Sequence, residues 1–177
     1  KMNKWFGEIK KTDEVADPKV QLVNLNETKK LYYLDKFARL PEIRITFPTV
    51  QEFHEDSYAL STLGRLLADG KNSPLYKEIV ELQRLAPNTF ASQNSYEIAG
   101  KFTIRVRGNS GVSIDTLYSA IMKGLENFNT SGVNVTDLKR IKAKQETGFY
   151  NNISSALDKA FQLGIYNEFA GDPGFIS

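Results

Sequence analysis

Residues 101–107 read KFTIRVR, and this stretch decides the fold class of the chain. Phe102, Ile104 and Val106 alternate with polar residues, and this period of two predicts a half-buried strand. A second strand is predicted over about residues 89–97, and Gly100 between the two suits a hairpin turn. Strands that follow each other directly in sequence favour an antiparallel sheet.

Two further strand patterns precede this pair. Residues 42–47 alternate three apolar side chains with polar ones, and Pro41 and Pro48 bracket them, each predicted to stop the pairing ladder. Residues 31–34 read LYYL, which is also a strand-like run. The sequence therefore predicts two strands before residue 50 and two more after residue 88.

Two helices are predicted between the strand pairs. Residues 56–69 place leucine and alanine side chains on one face at helical spacing, and Gly70 follows where a left-handed C-cap belongs. Ser73 followed by Pro74 predicts a second helix start, with the serine hydroxyl as cap and proline in the first turn. Pro87 is predicted to end that helix.

The last part of the chain is predicted to be helical. Ser113 is the expected cap of a third helix, which residues 131–132, Ser-Gly, should break. Residues 136–170 then form a long helical pattern with an apolar face. Gly148 and the Asn-Asn pair at residues 151–152 predict a bend or break near its middle.

The predicted order of elements is β, β, α, α, β, β, α, α. This order indicates the α+β class, an antiparallel sheet with helices packed on one of its faces.

The composition of the chain argues against several classes of function. The chain has 177 residues, 41% hydrophobic and 25% charged, which is typical of a soluble domain. Its 23 basic and 21 acidic residues are scattered without a basic block, so we expect neither nucleic acid nor a membrane surface as partner. No apolar run reaches the roughly 18 to 20 residues of a membrane span.

The sequence offers no metal-binding or nucleophilic constellation. Cysteine is absent and His54 is the only histidine, whereas catalytic zinc normally needs three protein ligands. His54 is therefore interpreted as a surface residue just before a helix. Residues 108–111, GNSG, lack the P-loop lysine and predict a strand-to-helix turn. We predict no catalytic residue and no metal ligand in this chain.

Carboxylates on the predicted helices are interpreted as solvated surface groups. Glu78 and Glu81 lie within the second predicted helix, and Glu55 and Asp56 lie at the start of the first. Acidic side chains are rarely buried, so we expect all four to be exposed.

Several segments together resemble the insulinase/pitrilysin-type zinc metallopeptidases of bacteria. Residues 5–7, WFG, look like the end of a preceding domain, and residues 40–43, LPEI, look like the strand that opens the next one. The family's small-residue loop and Ser-x-Leu-Tyr helix, its turn with a long helix, and its closing turn are similar to residues 66–76, 132–144 and 171–173. The resemblance covers nearly the whole chain.

The resemblance implies a function for the parent protein. Members consist of repeated α+β domains around a closed chamber, and an inverted His-x-x-Glu-His motif with a distal glutamate holds zinc in the first domain of the catalytic half. This sequence contains no such motif. The resemblance therefore implies a non-catalytic domain that walls the substrate chamber of a peptide-hydrolysing zinc enzyme. Zinc is expected in the full-length protein, whereas the chain alone should bind none and cleave nothing.

One departure from the family concerns substrate binding. In the half without metal, an arginine and a tyrosine usually bind the peptide near the zinc, and the matching positions here are Val80 and Pro87. Neither side chain supplies a hydrogen bond or a charge. Either this domain follows the zinc domain within the catalytic half, or it belongs to an inactive homologue with a structural or assembly role, similar to core subunits of respiratory complexes. A third interpretation is an interaction module unrelated to the family.

The resemblance also predicts an organisation for the chain. Residues 1–10 are expected to end a preceding domain, residues 11–28 to be a linker, and residues 29–177 to form the α+β domain, truncated at its C-terminus. We expect a fragment of a longer protein whose partners are its other domains or a homologous subunit. Bacterial relatives are often cell-envelope proteins, which favours the periplasm over the cytoplasm.

Overall fold

A three-stranded antiparallel sheet organises the protein. The computed structural model describes residues 2–10, 12–13 and 23–176. Strands β1 (Glu42–Thr49), β2 (Phe90–Ser95) and β3 (Gly100–Arg107) lie in the order β1-β3-β2. The central strand β3 is the stretch whose alternation predicted the sheet, and it pairs antiparallel with both neighbours. The α+β fold class is confirmed.

Three helices cover one face of this sheet. They are α2 (Glu55–Ala68), α3 (Pro74–Tyr76), which continues as a π-helical segment (Lys77–Leu82), and α4 (Ile114–Ser131). The core consists of apolar side chains from the central strand and these helices, together with Ala86 of the following loop. Its buried members are Leu67, Leu75, Ile79, Ala86, Phe102, Ile104, Val106, Leu117, Ala120 and Ile121.

Local signals set most helix boundaries. The Ser113 hydroxyl caps α4 by accepting a hydrogen bond from the Thr116 N–H at 3.0 Å, as predicted. Gly70 has a φ of 88°, the left-handed conformation expected just after α2. The predicted cap at Ser73 is wrong, because its hydroxyl donates to the Gly70 carbonyl at 2.8 Å and makes no bond to α3.

The remaining helices lie at the two ends of the chain. The short helix α1 (Met2–Phe6) comes first, and α5 (Val135–Asn152) and α6 (Ala156–Ile165) come last. A π-helical turn (Tyr166–Ala170) and a 3-10 helix (Pro173–Ile176) follow α6. The predicted break in the long helix is confirmed: α5 ends at Asn152, and the Ser155 hydroxyl caps α6 by accepting from the Asp158 N–H at 3.1 Å.

Two strand predictions need correction. Residues 31–34 form no strand, and Leu31 and Leu34 are 94% and 95% exposed. Hydrophobic character alone does not make a strand, because a strand also needs a partner for its backbone groups, and none of the described residues pairs with this run. Strand β1 also continues through Pro48 to Thr49, which an edge strand tolerates because the missing N–H need not enter the ladder.

The predicted linker, residues 11–28, lies mostly outside the described residues. Of this range, only residues 12–13 and 23–28 are described, and they contain no helix or strand. Within the described part of the chain, no helix is both long and apolar enough to cross a bilayer.

Candidate functional site

The two positions at which the sequence resemblance predicts a loss of substrate-binding side chains lie on either side of a tight bend. Val80 lies within the π-helical segment and is half-buried, and Pro87 lies in the exposed loop that leads to β2. Their side chains carry no donor, acceptor or charge. These two positions therefore offer a peptide only apolar contact.

The bend between them is held by backbone hydrogen bonds. Arg84 has a φ of 52°, a left-handed conformation that more often carries glycine. It allows the Leu85 N–H to donate to the Ile79 carbonyl at 2.9 Å. Asn109 fixes the bend from the other side, since its N–H donates to the Leu85 carbonyl at 2.7 Å and its side-chain amide donates to the Arg84 carbonyl at 2.8 Å. Residues 108–111 thus act as the predicted strand-to-helix turn and as a brace.

Glu78 is buried, contrary to the expectation from sequence. Its side chain is 2% exposed, and the Lys123 ammonium of α4 lies 2.8 Å from its Oε1 atom. The Gln83 amide donates to the same oxygen at 2.6 Å, and the Asn127 amide donates to Oε2 at 3.3 Å. The physical reason is the π-helical turn, whose i→i+5 bonding shifts side chains away from the faces of an α-helix. Leu82, at the end of the same segment, is 72% exposed.

The electrostatics around Glu78 are those of a structural ion pair. The hydrogen bond from Lys123 is the main cause that holds the pKa of Glu78 below its ordinary value, and it outweighs the opposing effect of burial. Glu78 lies in a cleft of about 730 Å³ between the π-helical segment, the end of α4 and the start of α5. A carboxylate that stays ionised and already has a cationic partner is a poor general acid or base at neutral pH. The contacts of Glu78 fasten the π-helical segment to α4.

The described residues do not fit a zinc site. His54 lies at the N-terminus of α2, where its Nδ1 atom accepts a hydrogen bond from the Asp56 N–H at 3.1 Å. No group of three or more histidine, cysteine, aspartate or glutamate side chains in the described ranges is arranged to hold a metal ion. Glu55, Asp56 and Glu81 lie at the surface, as predicted, and are not among any such group in the described ranges.

The sheet face opposite the helices carries four cationic side chains and one carboxylate. Cross-strand pairing places Arg107 beside Glu42 and Arg105 beside Arg44. Lys101 lies further along β3 on the same face. We call this surface the cationic sheet face, and its other members are Thr46, Pro48, Phe90, Ser92, Asn94 and Thr103.

Glu42 is the one carboxylate among the members of the cationic sheet face. Its Oε1 atom lies 3.1 Å from Arg44 Nη2, and its Oε2 atom lies 2.8 Å from Arg107 Nη2. Burial alone would raise the pKa of Glu42, but the guanidinium groups of Arg107, Arg44 and Arg105 together lower it. Glu42 therefore stays ionised and neutralises part of the charge.

The other two cations of this face lie against aromatic rings. Arg105 lies 5.2 Å from the ring centroid of Phe90, and Lys101 lies 5.8 Å from that of Tyr96. Among the described residues, neither has a carboxylate oxygen within 4.0 Å. The sequence contained a signal for this surface, since three of the four outward positions of β3 and one of those of β1 are Arg or Lys. Only the pairing register of the two strands brings these side chains together.

Comparison with known proteins identifies the family. The profile of the peptidase M16 inactive domain matches residues 1–145. The chain belongs to this family. The resemblance to insulinase-type zinc peptidases is thereby confirmed, and the interpretation as an unrelated interaction module is wrong.

Relatives of this M16 inactive domain include named proteases. It is 32% identical to the zinc protease PqqE of Helicobacter pylori over 116 residues, which are 66% of this chain and 26% of that protein. The structure of a protease from Helicobacter pylori superposes with a TM-score of 0.65 at 26% identity, covering 75% of this chain and 32% of the other. The chain thus spans about a quarter to a third of these relatives.

The same fold also occurs outside the bacterial proteases. A chain in the structure of complex III2 from Candida albicans superposes with a TM-score of 0.61 at 12% identity, covering 77% of this chain and 34% of the other. This degree of identity shows a shared fold alone.

Proposed function

We propose that this M16 inactive domain is a non-catalytic part of a larger zinc peptidase and that its cationic sheet face lines the chamber in which peptides are held. The observation that carries this proposal is the membership of a family of inactive peptidase domains, combined with described residues that cannot assemble a zinc site. Zinc-bound water and a general base for peptide hydrolysis would come from another domain. We further propose residues 29–177 as the domain itself, residues 11–28 as a linker and residues 1–10 as the end of a preceding domain.

The arrangement of the fold in layers supports the proposal that this domain lines the peptide chamber. Helices cover one face of the sheet and leave the other face to polar and cationic side chains. Such a face can stay hydrated while it borders a water-filled space, and it can exchange its water for the polar groups of a peptide. Strand β3 pairs with a neighbour on both edges, so its backbone sets the spacing of the side chains along that surface.

Exposed apolar side chains support a partner surface elsewhere on the domain. Leu31, Leu34 and Phe37 are more than nine-tenths exposed, and Leu157 and Phe161 of α6 are about two-thirds exposed. Exposed apolar groups at this density mark interaction surfaces. We propose that other domains of the same polypeptide, or a homologous subunit, cover them.

The test compares the full-length protein with this chain alone. Zinc content is measured by mass spectrometry, and hydrolysis is measured with a quenched fluorescent peptide before and after chelation and zinc addition. We expect the full-length protein to hold zinc and to lose and regain activity with it, and the isolated chain to do neither. Stoichiometric zinc or hydrolysis in the isolated chain would contradict the proposal.

The alternative is an inactive homologue with a structural role. Val80 and Pro87 at the substrate positions favour it, and the shared fold with a chain of complex III2 is compatible with it. This alternative predicts a full-length protein without zinc and without hydrolysis. The same experiment therefore separates the two functions.

A further inference from the structure

The cationic sheet face has an unbalanced charge. Arg44, Lys101, Arg105 and Arg107 face the single carboxylate of Glu42, whereas the whole chain has a net charge of only +2. Like charges on one surface repel each other, which opposes folding unless a partner compensates them. This excess of cations therefore favours the binding of an anionic partner.

The spacing of these cations fits an extended chain. Lys101, Arg105 and Arg107 occupy one face of β3, where successive side chains on the same face are about 6.6 to 6.8 Å apart. An extended peptide that lies along β3 presents its alternate side chains with the same repeat. Acidic residues at alternate positions of such a peptide would meet Lys101, Arg105 and Arg107, whereas Thr103 between them is buried.

The chemistry of the side chains favours carboxylates. Arginine presents a planar fork of donors that matches the two oxygens of a carboxylate. The guanidinium of Arg107 already binds a carboxylate on this face, since its Nε and Nη2 atoms both donate to Glu42 Oε2, at 3.1 and 2.8 Å. Arg105 and Lys101 have no such partner among the described residues, and Phe90 and Tyr96 beside them add apolar surface for the aliphatic part of a peptide side chain.

We infer that the cationic sheet face binds extended peptide segments rich in Asp and Glu. The inference rests on the proposed chamber-wall function and adds the substrate class to it. Arg105 and Lys101 are the residues that select the acidic segment, while Arg44 and Arg107 are largely occupied by Glu42. A surface of this kind retains acidic peptides and discriminates against basic ones, because like charges in contact raise the free energy of binding.

The test is fluorescence anisotropy with this chain and three labelled peptides of equal length. One alternates Glu with Thr, the second replaces Glu with Gln, and the third replaces Glu with Lys. We expect the Glu peptide to bind about 3- to 10-fold more tightly than the Gln peptide, since exposed ion pairs each contribute modestly, and the Lys peptide to bind weakest. Added salt should reduce the difference.

A pair of double variants locates the binding surface. Lys101→Gln with Arg105→Gln should reduce the affinity for the Glu peptide about 3- to 10-fold, and should leave the Gln peptide unaffected. The matched control is Lys139→Gln with Lys142→Gln on the exposed surface of α5, which makes the same change in net charge. Thermal unfolding confirms that both double variants are folded.

Three results would overturn the inference. They are equal binding of the three peptides, an equal loss of affinity in the control variant, and tighter binding of a single-stranded oligonucleotide of the same charge than of the Glu peptide. None of these affects zinc content or hydrolysis by the full-length protein. Failure of the inference is therefore distinguishable from failure of the proposed function.

Discussion

The Glu78 carboxylate lies 2.8 Å from the Lys123 ammonium, and this pair joins the π-helical segment to α4 in a part of the molecule where Glu78 has almost no contact with solvent. Lys123 itself is 59% exposed, so the pair is buried on one side only. Removing a partner from such a pair leaves an uncompensated polar group, which costs more than the pair contributes as a whole.

Glu78→Gln should therefore destabilise the domain. We expect the free energy of unfolding to fall by about 1 to 3 kcal/mol, because the neutral amide loses the charge attraction to the Lys123 ammonium and, with its oxygen at the Oε1 position, places an NH₂ group beside the Asn127 donor. The matched control is Glu81→Gln in the same segment, which is exposed and should change stability by less than about 0.5 kcal/mol. Urea denaturation of the three proteins measures both effects, and equal stabilities would show that the Glu78 contacts are not stabilising.

The same carboxylate predicts a pH dependence. The pKa of Glu78 is lowered from its ordinary value of 4.5 in the folded protein, so the unfolded state binds the proton more readily. The stabilisation is complete above the ordinary pKa and is lost as the pH falls towards the lowered value. The difference in melting temperature between wild type and Glu78→Gln should therefore be largest near neutral pH and should shrink as the pH falls below 4.5. A difference that stays constant over this range would contradict the assignment.

Two glycines should respond in opposite directions to alanine. A Cβ at Gly100 would collide with the Val50 carbonyl oxygen and with the side chains of Gln93 and Thr49, so Gly100→Ala should cost about 1 to 3 kcal/mol. Gly148 lies within α5 with no atom near its Cβ position, so Gly148→Ala should stabilise the protein by about 0.5 to 1 kcal/mol. Thermal unfolding of both variants tests the two signs, and an equal shift for both would refute the packing account.

A comparison of an exposed and a buried apolar residue distinguishes contacts with a partner from packing in the core. Phe161 is 67% exposed, so Phe161→Ala should change the stability of the isolated chain by less than about 0.5 kcal/mol. Ile121 is fully buried in the core, so Ile121→Ala should cost about 2 to 5 kcal/mol. In the full-length protein Phe161→Ala should become destabilising if another domain covers α6. An unchanged melting temperature there would argue against a partner at this surface.

The sequence predicted elements whose signals are local. The alternation in β1 and β3, the glycine after α2 and the Ser113 cap each act within a few residues, and the structure places these elements within a few residues of the prediction. The prediction of a strand at residues 31–34 was wrong, because a strand needs a pairing partner and the sequence of this run does not show whether one is present. The burial of Glu78 escaped prediction for a similar reason, since it depends on a π-helical turn and on Lys123 of a distant helix.

Less of the candidate site than of the fold could be predicted from the sequence. The expectation that this chain supplies no zinc site rests on residue types alone, since cysteine is absent and histidine occurs once. The cationic sheet face depends on the register that places Arg44 beside Arg105 and Glu42 beside Arg107. A shift of one residue would have sent these side chains to the opposite face of the sheet.

Photo-crosslinking in the full-length protein tests most directly whether the sheet face borders the peptide chamber. A photoreactive phenylalanine derivative is introduced at Thr46, which is exposed on the edge strand β1 of the cationic sheet face, and in a second protein at Lys142 on the exposed surface of α5. With a biotin-labelled peptide substrate, we predict a covalent adduct from position 46 and none from position 142. Equal labelling from both positions, or none from position 46 while the peptide is being cleaved, would contradict the chamber-wall function.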